Sequence, residues 1–216
     1  MLGYQRGSFV VISGPDGSGK TTLINRIVEH YPSLIRVREP GGTSVSEAIR
    51  SEILSEVAKD WSPMSQLIHF FGARANLLER VVRPALQKGQ NVIADRFDES
   101  TFAYQVVAFD HRELGNVFWE IRERLIVECG LEPNLYIYLD VPVEVGIKRR
   151  ASEVTGLMNH LDKRSSDFHE KVAKGLREFF DRVPHKIVNG DQSPDAVLHA
   201  CLELLRQFFG EPSSQA

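Results

Sequence analysis

Residues 14–22 read Gly-Pro-Asp-Gly-Ser-Gly-Lys-Thr-Thr, between a short apolar run at 8–13 and an amphipathic run at 23–28. The stretch matches the phosphate-binding pattern G-x-x-x-x-G-K-[ST] at every fixed position, and the flanking strand and helix patterns are the context that it requires. Glycines let the backbone wrap around a polyphosphate, so that N–H groups and the helix N-terminus point at the anion. The stretch therefore predicts a nucleoside triphosphate site, with Lys20 on the β- and γ-phosphates and the Thr21 hydroxyl on Mg²⁺.

Strand and helix patterns alternate along the rest of the chain. Apolar runs of strand length lie at 8–13, 34–38, 91–95, 135–140 and 185–189. Helical patterns lie at 46–55, 63–87, 100–109, 114–129, 143–150, 167–182 and 194–209. This alternation predicts an α/β fold with about five parallel strands and helices on both faces. We expect one domain over residues 1–216, because no linker or internal repeat divides the 216-residue chain.

Composition argues against two classes of partner. The net charge is −3, from 26 basic and 29 acidic residues, which gives no global electrostatic case for nucleic acid. No apolar run approaches the roughly 20 residues that span a bilayer. Cys129 and Cys201 lie in helical patterns without metal-ligand or redox spacing, so we expect ordinary buried thiols. The expected compartment is the cytoplasm, with no nucleic acid or membrane partner.

Charged and glycine-rich segments follow the first three predicted strands. Ligands of open parallel sheets bind beyond the carboxyl ends of the strands. The second strand leads into Arg-Glu-Pro-Gly-Gly-Thr at 38–43, and the third leads into Asp95, Arg96 and Phe97. Each segment alone could be a turn with surface charge, but their joint position favours a ligand site.

Segments 14–22, 38–43, 95–105 and 139–150 together resemble the thymidylate kinase family, over essentially the whole chain up to the last helix. The resemblance implies a three-layer P-loop nucleoside monophosphate kinase fold with a small lid at about 151–166. It also implies transfer of the γ-phosphoryl group from Mg-ATP to dTMP, giving dTDP and ADP in dTTP biosynthesis, by a homodimer. The helices from Ser46 and Pro63 onward are apolar enough for a dimer interface, although their faces could equally be internal core.

Phosphoryl transfer depends on alignment and on neutralising negative charge, which suits the arginines of these segments. The resemblance assigns Arg96 to bridging acceptor phosphate and donor, Arg50 to holding the acceptor phosphate, and Asp16 to the reacting centre near the acceptor sugar. Arg96 could instead form a surface ion pair with Asp95 or Asp98, and Arg50 could lie on a solvated helical face. Asp95 either binds magnesium through water or holds Arg96.

The acceptor base pocket is predicted on the helix at 63–87. Phe70 and Arg74 are four residues apart and share a helical face, offering a ring to stack on a pyrimidine and a guanidinium to donate to its O4. Without the resemblance, a core aromatic and a capping charge would be the favoured interpretation. The other expected substrate-binding residues are Glu39, Pro40, Ser100, Thr101, Tyr104 and Gln105. Because one methyl group is worth only about 1–3 kcal/mol, we expect residual activity with dUMP.

The lid departs from the family pattern. Some members carry an arginine beside the acidic residue of the phosphate loop, where this chain has Gly17, so the catalytic arginine is expected from the lid. Arg150 is the first candidate and Arg164 the second, whereas Lys163 lacks the planar fork of arginine. Residues expected to bind ATP are Gly14, Pro15, Asp16, Gly17, Ser18, Gly19, Lys20, Thr21, Thr22 and Arg149. Two alternatives stay open: a kinase for another nucleoside monophosphate or a deoxynucleoside, and a nucleotide-dependent switch, which the lack of an Asn-Lys-x-Asp motif disfavours.

Overall fold

A computed structural model describes residues 6–152 and 164–212. Its centre is a five-stranded sheet of order β2-β3-β1-β4-β5, in which every neighbouring pair is parallel. The strands are β1 (Phe9–Ser13), β2 (Ile35–Arg38), β3 (Val92–Asp95), β4 (Leu135–Asp140) and β5 (Lys186–Asn189). The predicted α/β fold with five parallel strands is confirmed, with strand bounds within one residue of those expected.

Helices cover both faces of the sheet. They are α1 (Lys20–His30), α2 (Ser44–Ile53), α3 (Pro63–Leu77), α4 (Arg83–Gln87), α5 (Asp98–Thr101), α6 (Gly115–Arg122), α7 (Val143–Ser152), α8 (Ser166–Phe180) and α9 (Pro194–Phe209). Side chains of Thr43, Ser62, Ser165 and Ser193 accept the first free N–H groups of α2, α3, α8 and α9. These N-caps fix where the four helices begin.

Three predicted helices contain wider π-type turns. The pattern at 63–87 is interrupted by Leu78–Val82 between α3 and α4, and similar turns, Phe102–Ala108 and Glu123–Val127, follow α5 and α6. Pro84 lies just beyond the first of these turns and has no N–H to donate, so the regular hydrogen-bond ladder cannot run through it. The periodicity therefore located the helical segments but not their internal geometry.

Apolar side chains fill both spaces between sheet and helices. One cluster centres on the rings of Phe118, Tyr136 and Phe179, and the other contains Ile24 and Cys201. Burial raises the pKa of the Cys201 thiol to about 12, as suits an inert core residue. Cys129 is only half-buried, so the expectation of a buried thiol is wrong at that position. All five residues of β1 are buried, which gives the loop after it a rigid base.

The first three strands end at one edge of the sheet, and the predicted ligand segments therefore meet there. β1 leads into the phosphate loop, β2 into residues 39–43, and β3 into residues 96–97. Most of the predicted lid, residues 153–163, lies outside the described residues. Within the described ranges, no helix is long and apolar enough to cross a membrane.

Candidate active site

The phosphate loop follows β1 directly and ends in α1. Gly14, Gly17 and Gly19 have φ angles of +152°, +73° and +88°, which side-chain-bearing residues rarely adopt. The Lys20 ammonium donates to the carbonyl oxygens of Gly14 at 2.9 Å and Pro15 at 2.7 Å. Burial, reinforced by the Arg96 guanidinium, lowers the pKa of Lys20 to about 7. A phosphate group beside Lys20 would favour the charged ammonium.

Close backbone contact between the loop and α7 explains why position 17 is glycine. A Cβ atom on Gly17 would lie 2.0 Å from the carbonyl oxygen of Gly146, and a Cβ on Gly146 would lie 2.4 Å from the carbonyl oxygen of Asp16. Neither position has room for a side chain. The structure thus excludes an arginine at position 17 and accounts for this departure from the family pattern.

The two predicted metal ligands lie together at the edge of the sheet. The Thr21 hydroxyl donates to Asp95 Oδ2 over 2.8 Å, and both residues line a cavity of about 490 Å³. Hydroxyl and carboxylate oxygens are the donors that Mg²⁺ prefers, so the pair fits this ion. The described residues hold no cluster of three or more His, Cys, Asp or Glu side chains suited to a metal.

Arg96 is held over the phosphate loop. Its backbone is left-handed, with a φ of +67°, and its Nη2 lies 2.5 Å from Asp16 Oδ1. Its Nη1 donates to Ser100 Oγ at 3.2 Å and to the Gly14 carbonyl at 3.3 Å. Arg96 forms its ion pair with Asp16, and not with Asp95 or Asp98, the two partners considered from the sequence. Asp95 accepts a hydrogen bond from Thr21, and its role as a magnesium ligand stays a prediction.

Three side chains surround the Asp16 carboxylate. Besides Arg96, the Tyr104 hydroxyl donates to Oδ2 at 2.6 Å, and His169 Nδ1 lies 3.8 Å from the same oxygen. Burial alone would raise the pKa of Asp16, but Arg96 and Lys20 outweigh it and hold the value at about 2. Asp16 is therefore an anion at neutral pH. His169, on α8, was not predicted, since an isolated histidine in a helical pattern gives no signal of its neighbours.

Arginines dominate the rest of the cavity wall. Arg50 lines it and donates to the Pro40 carbonyl at 2.9 Å, so the solvated-face alternative for Arg50 is set aside. Arg36 was not singled out from the sequence, and Arg38 was named only as the start of the segment 38–43, yet both line this cavity. Their alternation in Ile-Arg-Val-Arg was an available signal, because residues two apart share a strand face. With Arg96 and Arg150 the wall contains five arginines, a charge suited to two polyanions.

A second cavity, of about 290 Å³, contains part of the predicted base pocket. Phe70 and Gln105 line it, together with Trp61, Phe109 and Arg164. Phe70 is half-buried, which agrees with a pocket wall better than with a core position. Among the described residues, the buried Gln105 Oε1 has no hydrogen-bond partner, so it is available to a donor on a ligand.

Arg74 lies instead in a buried ion pair. Only 1% of its side chain is exposed, and its Nε donates to Glu39 Oε2 at 2.7 Å. Its Nη2 donates to Thr101 Oγ1 at 2.8 Å and to the Phe97 carbonyl at 3.1 Å. Burial raises the pKa of Glu39 to about 7 although Arg74 acts in the opposite direction. A capping charge is therefore the wrong description of Arg74, and its contact with a base stays a prediction.

The three arginines around the lid have different surroundings. Arg150 lines the phosphate cavity. Arg164 lies over the rings of Phe109 and Phe168, with its guanidinium carbon 5.2 and 5.6 Å from their centroids. Arg149 donates to the Gly190 carbonyl at 2.9 Å, in the loop after β5. Lys163 lies outside the described residues.

Comparison with known proteins agrees with this geometry. The family model described as thymidylate kinase matches residues 12–200. A thymidylate kinase of Clostridium novyi is 39% identical over 202 residues, covering 89% of this chain and 95% of the relative. Thymidylate kinases of Oenococcus oeni and Caulobacter vibrioides are 35% and 33% identical, over 94% and 95% of this chain and 97% and 99% of the relatives. A phosphate loop, a Thr21–Asp95 pair and an arginine-lined cavity are what such a kinase needs, and the chain belongs to the thymidylate kinase family.

Proposed function

We propose that this chain performs the reaction of its family with Arg96 as the central catalytic group. As a thymidylate kinase it transfers the γ-phosphoryl group of ATP to dTMP, giving dTDP and ADP on the route to dTTP. The observation that supports the role of Arg96 is its position between Asp16 of the phosphate loop and Ser100 after β3, on the cavity that Arg50 also lines. From there one guanidinium can face both donor and acceptor phosphates.

The two nucleotides bind from different elements in this proposal. The loop N–H groups and Lys20 hold the β- and γ-phosphates of ATP, while Arg50 holds the acceptor phosphate. Thr21 and Asp95 hold Mg²⁺, which supplies charge neutralisation on the phosphate oxygens. Asp16 stays ionised, keeps Arg96 oriented, and is within reach of the acceptor sugar. Catalysis then consists of alignment and charge stabilisation.

A second arginine completes the transition-state charge. Arg150 takes this role because it lines the phosphate cavity. Arg164 lies over the rings of Phe109 and Phe168 and lines two neighbouring cavities, one of which it shares with Arg150. An arginine acting on the transferring phosphoryl group supplies roughly 10³–10⁵ in rate. Arg150→Met should therefore lower kcat far more than Arg164→Met.

The test is ADP release from Mg·ATP, with dTMP, dUMP, dCMP, dGMP and AMP supplied separately. We expect strong release with dTMP, weak release with dUMP and none with the others, in cytoplasm-like reducing buffer. Arg96→Met should abolish this turnover while ATP binding survives. Higher turnover with another acceptor would reassign the pocket of Phe70 and Gln105 to a different nucleotide. Release independent of any acceptor would indicate a nucleotide switch.

We also propose that two copies pair through the groove between α3 and α6. Its wall is mainly apolar, includes Phe71, Ile121 and Leu125, and leaves Ile68 52% exposed. Apolar surface of this kind is stabilised by burial against a second copy. Light scattering should give the dimer mass for the unmodified chain and the monomer mass for Ile68→Glu. Ile187→Glu, at a 62% exposed site on β5, is the control and should stay dimeric.

A further inference from the structure

Two adjacent carboxylates, Asp98 and Glu99, are completely buried two and three residues after Arg96. A buried charge is tolerated only where charges or hydrogen bonds compensate for lost water. Asp98 has such partners outside the lining of the phosphate cavity, because Arg122 Nε lies 2.7 Å and the Tyr136 hydroxyl 2.6 Å from its oxygens. Asp98 thus joins α5 to α6 and β4.

Glu99 has different partners, and all belong to the segment that contains Arg96. The Phe97 N–H donates to both carboxylate oxygens, at 3.2 and 3.0 Å. The Ser100 hydroxyl donates to Oε1 at 3.0 Å while accepting from Arg96 Nη1 at 3.2 Å. Glu99 is therefore linked to the Arg96 guanidinium through one hydroxyl.

The backbone at Arg96 needs support of this kind. A non-glycine residue with a φ of +67° is strained and persists only where its surroundings fix it. On one side, the Arg96 N–H donates to the Ile12 carbonyl at 3.1 Å. On the other side, the next N–H, that of Phe97, is bound by Glu99. Glu99 thus restrains both the backbone and the side chain of Arg96.

We infer that Glu99 is a positioning residue, which holds Arg96 in its catalytic orientation through the Phe97 N–H and the Ser100 hydroxyl. The inference rests on the proposed role of Arg96. Glu99 does not touch substrate; its effect on rate is transmitted by the arginine. Asp98, equally buried and one residue earlier, accepts from the Glu99 N–H at 3.1 Å, but none of its hydrogen bonds reaches Arg96, Phe97 or Ser100. We therefore expect Asp98 to affect stability and not the rate.

The test is a double-mutant cycle between Glu99→Gln and Arg96→Lys. A glutamine keeps the shape of Glu99 but loses one of the two acceptor oxygens. Because displacements of about 1 Å can cost 10²-fold in rate, we expect kcat to fall about 10-fold or more, with the KM for Mg·ATP nearly unchanged. In the Arg96→Lys background, which lacks the planar fork, Glu99→Gln should change kcat less than about twofold.

Asp98→Asn is the matched control, and its kcat should stay within about twofold of the unmodified chain while the melting temperature falls. If Asp98→Asn does not fold, Tyr136→Phe loosens the same network. If Glu99→Gln does not fold, Ser100→Ala breaks the link to Arg96 and should itself lower kcat, with no further loss expected in the Arg96→Lys background.

The outcomes separate the two proposals. Equal losses from Glu99→Gln in both backgrounds, or full activity of Glu99→Gln, would overturn the positioning role. Full activity of Arg96→Lys and of Arg96→Met would overturn the proposed role of Arg96 itself.

Discussion

Removing Arg74 should destabilise the fold more than any surface charge removal. The Arg74 and Glu39 side chains are 1% and 4% exposed, and Arg74 also donates to Thr101 and to the Phe97 carbonyl. Arg74→Met leaves the Glu39 carboxylate buried without its counter-charge, which costs about 3–5 kcal/mol. For a chain of this size, about 2–4 °C per kcal/mol converts this into a loss of about 6–20 °C in Tm.

The assay is thermal unfolding of four proteins at pH 7.5, above the pKa of about 7 that Glu39 has beside Arg74. Beside the unmodified chain and Arg74→Met, the double variant Glu39→Gln/Arg74→Met removes both charges and should recover at least half of the loss. Arg112→Met is the control. Its ion pair with Glu178 is 47% and 30% exposed, so its removal should cost less than about 1 kcal/mol.

Two results would refute this reasoning. One is a Tm of Arg74→Met within about 2 °C of the control, and the other is a double variant that is no more stable than the single one. Either result would mean that Glu39 does not depend on Arg74 for compensation in the core. If dTMP binding alone then changed, Arg74 would be a base contact without a structural role.

Three further predictions concern the phosphate loop. Gly146→Ala should lower both Tm and kcat, because its methyl group would lie 2.4 Å from the Asp16 carbonyl, whereas Gly115→Ala, with its nearest neighbour at 3.8 Å, should change neither much. Lys20 has a pKa of about 7, and a bound phosphate favours its charged form, so Mg·ATP binding should take up a proton to an extent that grows from pH 6 to pH 8. Isothermal titration in buffers of different ionisation enthalpy measures this uptake, and no uptake at pH 8 would contradict the prediction. The pKa of Asp16 is about 2 in the folded protein against 3.8 in the unfolded chain, so Asp16 should contribute about 2 kcal/mol to the free energy of unfolding above pH 3.8. This contribution is lost as the pH falls toward 2, so the free energy of unfolding should drop less steeply between those pH values in Asp16→Asn.

Local sequence patterns were sufficient for the elements and for the phosphate loop. The run at 14–22 contains three glycines that adopt positive φ angles, and these determine the conformation of the loop. Short apolar runs predict the buried strands. Both signals depend on neighbours in sequence, so no knowledge of tertiary packing was needed. The strand order and the π-type turns depend on packing between distant segments, and the periodicity does not contain that information.

Inside the site, too, local patterns predict features set by neighbours in sequence but not those set by tertiary packing. Phe70 lines a cavity, although its stacking on a base stays a prediction. Arg74, predicted on the same helical face, lies in an ion pair with a residue 35 positions earlier. Helical spacing predicts which side chains share a face and not what the face meets. His169 near Asp16 is a further case, since α8 reaches the loop only in the folded chain.

Three ion pairs join the functional edge of the sheet to more distant segments, and their exposure decides what each can do. Arg96–Asp16 spans 80 residues and is 18% and 22% exposed, whereas Arg74–Glu39 and Arg122–Asp98 span 35 and 24 residues and are at most 6% exposed. A partly solvated pair can exchange a partner for a phosphate at modest cost, but a buried pair cannot be broken without leaving an uncompensated charge. Substitutions in Arg96–Asp16 should therefore lower kcat, with a loss of stability limited to the about 2 kcal/mol that Asp16 contributes. Substitutions in the two buried pairs should change Tm first.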